Sequence, residues 1–401
     1  MIIDRLHRSF PAYGDSNVFW FYVVTFLSAS WFQIGNWFLF VLLFMSAQDF
    51  AIAESVAFGL GLLLEIPSGA IADLLGRKRT VAAGLFLQSL GSFLFLLADV
   101  SVAILVIGNT IIIASFALRS GSLEALVYDS LKEKKLEKHY DDVIGKSLGL
   151  NIAGNVIAAL IGGFLWTVSV YLPWALTAII FVFGFLATLK LHEPSIDSEK
   201  FSLQSFIKQS KQGFYYLFKS SFKKYTYPLA ILAGTFLAWE AGIIRVVMGE
   251  EFGYDGQTIN YLISATMLVS FFAVHWFSKL RKKAGDTIGY SSILLMSALS
   301  WLIAGLTDSL VLGALVFAMM SLSGSLSDAW NSVILNEHVH SKNRATAIST
   351  LQFLVQLPYV LVVIYFGSLI AADNTSLYYV GSALLLLIAV GVFINAEKSD
   401  S

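Results

Sequence analysis

The sequence predicts an all-α membrane protein of twelve transmembrane helices, arranged as two pseudo-symmetric six-helix bundles. Three observations carry this expectation. Apolar runs long enough to cross lipid recur along the whole chain, basic residues collect in every second gap between them, and one tetrapeptide returns at matching places in the two halves. Only 13% of the 401 residues are charged, against about 25% in an ordinary soluble domain. Mean hydropathy is +0.74, too apolar for one globular core. With no cysteine in the chain, disulfides and thiolate metal sites are excluded.

A hydrocarbon core of about 30 Å needs some 20 apolar residues per helix. Runs of that kind fall at about 17–45, 51–75, 80–98, 102–131, 142–166, 170–191, 226–249, 256–279, 286–306, 309–337, 344–371 and 376–396. Several exceed the minimum, which predicts tilt or extension beyond the lipid. The first run is too long for the apolar region of a signal peptide, so it is expected to be a retained helix.

Charge orients these spans. Arg77, Lys78 and Arg79 follow span 2; Lys132, Lys134, Lys135 and Lys138 follow span 4; Lys200 to Lys224 lie after span 6. Lys279, Arg281, Lys282 and Lys283 follow span 8, and Lys342 and Arg344 follow span 10. The alternate loops hold Asp49, Asp99, Glu250, Glu251, Asp255, Asp308 and Asp373 and no Lys or Arg. By the positive-inside rule both termini are cytoplasmic, in a multi-pass protein of the cell inner membrane. Trp166, Tyr171 and Trp174 are expected at a membrane–water boundary.

The longest polar interval divides the chain into an N-terminal bundle (1–192), a cytoplasmic linker (193–225) and a C-terminal bundle (226–401). In the linker, Leu203, Phe206, Ile207, Phe214, Leu217 and Phe218 share one helical face, with Lys208, Lys211 and Lys219 elsewhere. That pattern reads as an amphipathic helix lying on the inner leaflet, or as a solvated linker with a few apolar residues. Ser120-Gly121-Ser122-Leu123 in span 4 returns as Ser323-Gly324-Ser325-Leu326 in span 10. Those spans are equivalent if the halves are parallel repeats.

Between spans 2 and 3 stands Gly69-Ala-Ile-Ala-Asp73-Leu-Leu-Gly76-Arg77-Lys78. Gly69 permits close helix approach, Asp73 can meet a helix N-terminus, and Gly76 permits a tight turn. Arg77 can pair with an acid on a neighbouring helix, with Asp129 as the candidate. The stretch resembles the signature loop of the major facilitator superfamily, G-x-x-x-D-x-x-G-R-K. With Glu65-Ile-Pro-Ser68 ahead of it, it is similar to prokaryotic drug/proton-antiporter-like members. The resemblance implies the major facilitator fold and a latch that closes the cytoplasmic side, with Glu65 in the helix 2 gating region. The loop after span 8, Phe277-Ser-Lys-Leu-Arg281-Lys282-Lys283, keeps the cations and lacks the Asp, so any second latch is expected to differ. In span 5, Gly145, Gly154, Gly162 and Gly163 partly fit the antiporter glycine motif, with Ala158 and Ala159 where Gly-Pro is usual. In the family that motif tracks with export; close packing alone also explains it.

Ionisable groups deep in a bilayer are costly and mark functional sites. Here they are Arg119 and Glu124 in span 4, Glu240 and Arg245 in span 7 and Asp328 in span 10, with the polar Gln33 and Asn36 in span 1. In the fold that the chain resembles, helices 1, 4, 7 and 10 line the central cavity. Arg119 also resembles the family's helix 4 arginine. If the helices are continuous, five residues turn the helix by about 140°, so neither Arg119 and Glu124 nor Glu240 and Arg245 share a face. Each charge then needs a partner on another helix, such as Arg119 with Asp328 or Glu240. Glu240 and Asp328, then Glu124, are the candidate proton-coupling acids; a fixed ion pair is the plain alternative for each. Trp31, Trp37, Phe38, Phe236 and Trp239 line an apolar cavity or face lipid, and His275 is expected to be a packing residue.

The leading functional expectation is a secondary active transporter working by alternating access, with proton-coupled efflux of small amphipathic molecules. Uptake of a nutrient or metabolite, or lipid flipping, belongs to the same class; a non-transporting scaffold or receptor is the alternative from another. No catalytic residues, cofactor, metal site or nucleic-acid partner are expected, and no phosphate-binding G-x4-G-K-[ST] loop points to an ATP-driven pump. A proton gradient is the expected driving force, and a small-molecule substrate and the bilayer are the expected partners of a monomer.

Overall fold

The computed structural model describes residues 15–194, 223–338 and 341–398, and positions 204, 207, 211, 212, 214, 215, 217 and 218. Within these, the side chains of 66–71, 73, 74, 223, 278, 332, 335–338, 341–349 and 398 lie outside the description. Every regular element among the described residues is helical: α1 Ser16–Ser28, α2 Trp37–Leu42, α3 Ala47–Leu75, α4 Arg77–Phe95, α5 Val102–Arg119, α6 Ser122–Glu133, α7 Tyr140–Val168 and α8 Leu172–Thr188. They continue as α9 Lys223–Glu240, α10 Ile243–Glu251, α11 Gly256–His275, α12 Phe277–Leu306, α13 Leu310–His338, α14 Ser341–Ala371 and α15 Ser376–Lys398. A short 3-10 turn, Glu137–His139, precedes α7.

Among the described residues, eight stretches are long and apolar enough to cross a membrane, or nine if the bent pair α9–α10 counts as one. The remaining expected spans differ for identifiable reasons. Span 1 is divided into α1 and the six-residue α2. Helix α4 buries Gln88, Ser89 and Ser92 among its core positions, which lowers its hydropathy. Helix α8 is apolar but has 17 residues.

Three expected spans are broken, not continuous. Span 1 opens between Ser28 and Trp37, where Ser30 Oγ donates back to the Phe26 carbonyl at 2.8 Å, a local bond that competes with the helical ladder. Span 4 breaks between α5 and α6, where Gly121 takes a left-handed φ of +68°. Span 7 bends by 70° between α9 and α10, with Gly242 at φ +109°. Only glycine enters that region without steric cost.

The chain divides into two compact units: Met1–Ile34 with Val56–Ser202, and Gly35–Ser55 with Leu203–Ser401. The expected boundary near 193–225 therefore needs an amendment, because residues 35–55 group with the second half. The reason is local. Gly35 N donates to Asn260 Oδ1 at 3.0 Å, Ser55 Oγ donates to the Val360 carbonyl at 2.6 Å, and Gly367 lies against Ala51.

In the first unit, Val18, Phe21 and Val24 of α1 pack with Val81 and Leu85 of α4, Leu126 and Val127 of α6 and Phe181 of α8. Phe95 and Trp174 stack at 3.7 Å; Trp174 is thus a core residue, not a boundary one, at 2% exposure. Tyr171 does stand at a helix end, donating its hydroxyl to Asp99, and that carboxylate pushes the phenol up to about 12. In the second unit Trp301, Tyr290, Phe317 and Phe393 are fully buried. Of the linker, positions 204, 207, 211, 212, 214, 215, 217 and 218 are helical, with Leu217 buried and Ile207, Phe214 and Phe218 exposed. Leu203, Phe206, Lys208 and Lys219 lie outside the described residues.

Helix α11 opens with a capping box. Thr258 N donates to Asp255 Oδ1 at 2.8 Å, and Asp255 N donates to Thr258 Oγ1 at 2.9 Å. The Thr258 hydrogen bonds hold the Asp255 carboxyl below its usual range. Asp255→Ala is expected to cost about 1 kcal/mol. A depressed folded value means that this contribution is complete above about pH 3.9 and is lost as pH falls through the folded value. Melting temperatures of parent and variant should differ at pH 7 and converge on acidification.

Candidate transport site

The signature loop folds around Gly76, the N-cap of α4 at φ +93°. Glu193 reaches this turn from the end of α8. Its carboxylate accepts from Arg77 N at 2.8 Å and Lys78 N at 2.7 Å, satisfying two free N–H groups where the helix dipole favours negative charge. The Arg77 side chain turns the other way: Nη1 donates to the Asp129 carboxylate and to the Ala125 carbonyl at 2.7 Å. Arg77 and Asp129 are mostly buried, at 20% and 14% side-chain exposure. The Gly69 and Asp73 side-chain surroundings lie outside the described residues, although both positions are helical in α3. Glu65 is half-buried on the same helix.

The matching loop of the second half differs from the first, with Lys282 where the motif has its Asp and an acid after the glycine instead. Gly285 takes φ +73°, and Asp286 accepts from Arg281 Nε and Nη2, both at 2.7 Å. Trp330 Nε1 of α13 also donates to Asp286, at 2.8 Å. The fork of Arg281 thus engages both carboxylate oxygens, a strong bidentate geometry.

The intramembrane charges of spans 4 and 7 flank the breaks. Arg119 ends α5, and Glu124 stands in the first turn of α6. Glu240 ends α9, and Arg245 lies in the first turn of α10. The rotation of about 140° expected for five steps of a continuous helix therefore does not apply. Arg119 is within electrostatic reach of Glu124 across one break, and Glu240 of Arg245 across the other. Such discontinuous helices expose backbone dipole ends, and in secondary transporters they form binding sites.

Arg119 belongs to the first unit, and Glu240 and Asp328 to the second. In its own unit Arg119 Nη2 donates to Gln88 Oε1 at 3.4 Å, and its guanidinium lies 5.2 Å from the Phe116 ring and 6.0 Å from that of Phe181. In the second unit Arg245 is buried at 4% exposure and lies 5.3 Å from the Trp239 ring. Glu240, at the end of α9, and Asp328, inside the long apolar α13, are both exposed, and they are electrostatic neighbours. Glu124 is exposed as well.

The polar residues of span 1 are deeply buried. Gln33, at 1% exposure, accepts from Thr177 Oγ1 at 2.5 Å. Asn36 has no exposure, and neither amide atom has a hydrogen-bond partner among the described residues. Phe38 and Trp239 are core residues, at 0% and 3% exposure, so they do not line an open surface. Trp31 stacks on Phe116 at 5.4 Å, and Trp37 approaches Gly242. His275 is exposed at the end of α11, which corrects its reading as a packing residue.

Besides Asp286, Glu193 and Glu54 escaped the sequence reading. Glu193 precedes Pro194 in a polar segment, and nothing local marks it as the partner of a loop more than a hundred positions away. Glu54 is a carboxylate at 5% exposure inside α3, near Tyr359 of the same unit. A charge inside an apolar span is itself a signal, and Glu54 could have been found by it. Among the described residues no cluster of three or more His, Asp or Glu could hold a metal ion.

A profile of the Major Facilitator Superfamily matches residues 9–362, so the chain belongs to that family, and its long apolar helices are those of a multi-pass membrane protein. Over 210 residues it is 26% identical to the uncharacterized MFS-type transporter YxaM of Bacillus subtilis strain 168, a match covering 51% of this chain and 50% of that protein. The chain thus spans about half the length of that curated relative in the aligned region. Among solved structures it is similar to the nucleoside transporter NupG, with a TM-score of 0.74 at 14% identity over 96% of this chain and 98% of that one. The D-xylose-proton symporter gives 0.68 at 13% identity over 94% and 95%. At such identities these two establish the fold alone.

Proposed function

We propose that the protein is a proton-coupled secondary transporter of the drug/proton-antiporter type, exporting small amphipathic molecules by alternating access. In this reading it works as a monomer in the cell inner membrane, with twelve spans and both termini cytoplasmic, and the proton gradient drives it. The observation that supports it most is the placement of charge. Arg119, Glu124, Glu240 and Arg245 flank two helix breaks, and Asp328 is exposed within an apolar helix. Lipid-facing charges would carry a large penalty, whereas charges along a watery path can take up and release protons. Glu240 and Asp328, with Glu124, are the coupling acids, and Arg119 and Arg245 are their exchangeable counter-charges. Gly69, Asp73, Gly76, Arg77, Lys78, Asp129 and Glu65 form the cytoplasmic latch, which Glu193 holds in register.

Proton-coupled uptake is the second reading, favoured by the names of two fold neighbours, a nucleoside transporter and a D-xylose-proton symporter. Proteoliposomes with an internal pH dye separate the two once a thermal-shift screen has found a ligand. Export gives proton movement opposite to substrate, and uptake gives movement with it. The combined variant Glu124→Gln, Glu240→Gln and Asp328→Asn is expected to abolish substrate-driven proton flux while the protein stays folded. Undiminished flux in that variant removes the coupling assignment.

A further inference from the structure

Gln88 of α4 is fully buried. Its amide oxygen already accepts twice, from Ser115 Oγ and from Arg119 Nη2. Its amide Nε2, also buried, has no acceptor among the described residues, and neither does Nε of Arg119. Two donor groups of adjacent side chains, one of them cationic, therefore lack acceptors at one place in the first unit. A buried donor without an acceptor is destabilising, because it has given up its hydrogen bonds to water without replacing them. The nearby serine is already engaged: its Oγ stands within hydrogen-bond distance of Gln88 Oε1 and of the Ile112 carbonyl, the latter at 2.6 Å. The position is also crowded on its other side: a Cβ at Gly84 would meet Arg119 Cγ, so the aliphatic stem of the arginine runs against α4.

Around this pair the surface is aromatic. Trp31 and Phe116 stack at 5.4 Å with their rings 16° apart, and Phe181 meets Trp31 edge-on at 5.1 Å. Phe181 is buried, whereas Phe116 is 46% exposed and Trp31 is half-buried. The accessible part of the cluster is therefore the Trp31–Phe116 stack together with the half-buried Arg119, whose guanidinium lies 5.2 Å from the Phe116 ring. The carboxylate nearest in the electrostatic sense is Glu124, across the helix break, and its side chain is exposed.

Resting on the transporter reading and sharpening it, we propose that the substrate is an organic anion. Its carboxylate bridges the guanidinium of Arg119 and the amide NH2 of Gln88, and its flat apolar body lies on Trp31 and Phe116. The chemistry selects this class. At Arg119 and Gln88 themselves a cation would meet donors and a positive charge, whereas an anion is attracted there in spite of Glu124 across the break. A neutral amide could satisfy one donor but would not balance the charge. A carboxylate accepts from both groups, and charge-assisted bonds of this kind are about twice as strong as neutral ones. Arg119 is the contact group. Gln88 has a double role: its oxygen positions the guanidinium and its nitrogen reads the anion.

The test is equilibrium binding to the purified full-length chain in detergent, read by tryptophan fluorescence and calorimetry without any gradient. The probes are benzoate and 2-naphthoate, with benzamide and benzylamine as neutral and cationic matches. The expected result is saturable binding of the two carboxylates at least tenfold tighter than of the other two, with the fluorescence change lost in Trp31→Phe. Arg119→Lys should weaken carboxylate binding at least tenfold, and Arg119→Gln should abolish it. Gln88→Glu gives the guanidinium a better acceptor while placing a negative charge where the ligand would sit. Its melting temperature should be equal or higher and its benzoate binding lost, a combination that a purely structural role would not produce. The proposal is overturned if benzoate and 2-naphthoate fail to bind the parent protein, if benzylamine or benzamide binds as tightly, or if Gln88→Glu binds benzoate normally. Carboxylate binding with no proton flux in liposomes would sink the proton-coupled reading and leave the anion site standing.

Discussion

Replacing Gly162 by leucine is expected to remove folded protein from a detergent extract, while the same change at Gly145 is tolerated. Both glycines lie on α7 and both belong to the glycine pattern of span 5. Gly162 is where α7 meets the open segment of span 1: a Cβ there would fall on the Phe32 carbonyl, 2.6 Å from its carbon. Backbone cannot swing aside as a side chain can, so the helix would have to withdraw along its length. Gly154 repeats this contact two turns earlier, with a Cβ 2.7 Å from the Phe26 carbonyl oxygen. Overpacking of this kind costs about 4 kcal/mol or more, the range in which single changes unfold a protein. At Gly145 nothing lies within 4 Å of a Cβ, and a helix-forming residue there should gain up to about 1 kcal/mol. Size-exclusion profiles of fluorescently tagged variants decide it. A monodisperse Gly162→Leu peak at parental yield would mean that the α7–span 1 approach is not a close one.

Arg77→Ala is expected to lower stability by about 2–4 kcal/mol, toward the lower side of the roughly 3–5 kcal/mol for breaking a fully buried pair, because both side chains keep some exposure. The loss has two parts. Asp129 keeps its charge without a partner, and the Ala125 carbonyl loses its donor. Asp129→Asn in the Arg77→Ala background should therefore recover part of the loss, a coupling that a double-mutant cycle reads as non-additivity. Arg77→Lys should retain more than half of the stability, because a single nitrogen, Nη1, makes both contacts. Equal melting temperatures for the parent and Arg77→Ala would show that the pair contributes nothing.

Much of the fold was legible because lipid imposes a one-dimensional rule. Long apolar runs and alternating basic loops are visible without any tertiary knowledge, and the helices α3, α7 and α11 to α15 stand close to the runs that announced them. The breaks in spans 1, 4 and 7 were not legible, since Ser30 is one serine of many in the chain, and Gly121 and Gly242 sit among many glycines that stay helical, such as Gly154 and Gly162. Arg77 and Asp129 could be named as candidate partners from their spacing to helix ends. Glu193 could not, because its role depends on where α8 delivers it. The acid of the second loop was missed for a simpler reason: Asp286 lies on the far side of Gly285, outside the motif register. Gln88 reads as one polar residue in a polar helix until its two hydrogen-bonded neighbours are in view.

The tetrapeptide shared by spans 4 and 10 has two outcomes. Gly121 leaves the helix in the first copy, while Gly324 of the second copy stays within α13 with the Phe236 ring of α9 pressed flat against it. That ring occupies the volume a methyl group at 324 would need, so the two positions are not free to drift independently over evolutionary time. In any descendant lineage, an alanine at 324 demands something smaller than phenylalanine at 236, and the large ring at 236 commits 324 to glycine for as long as it persists.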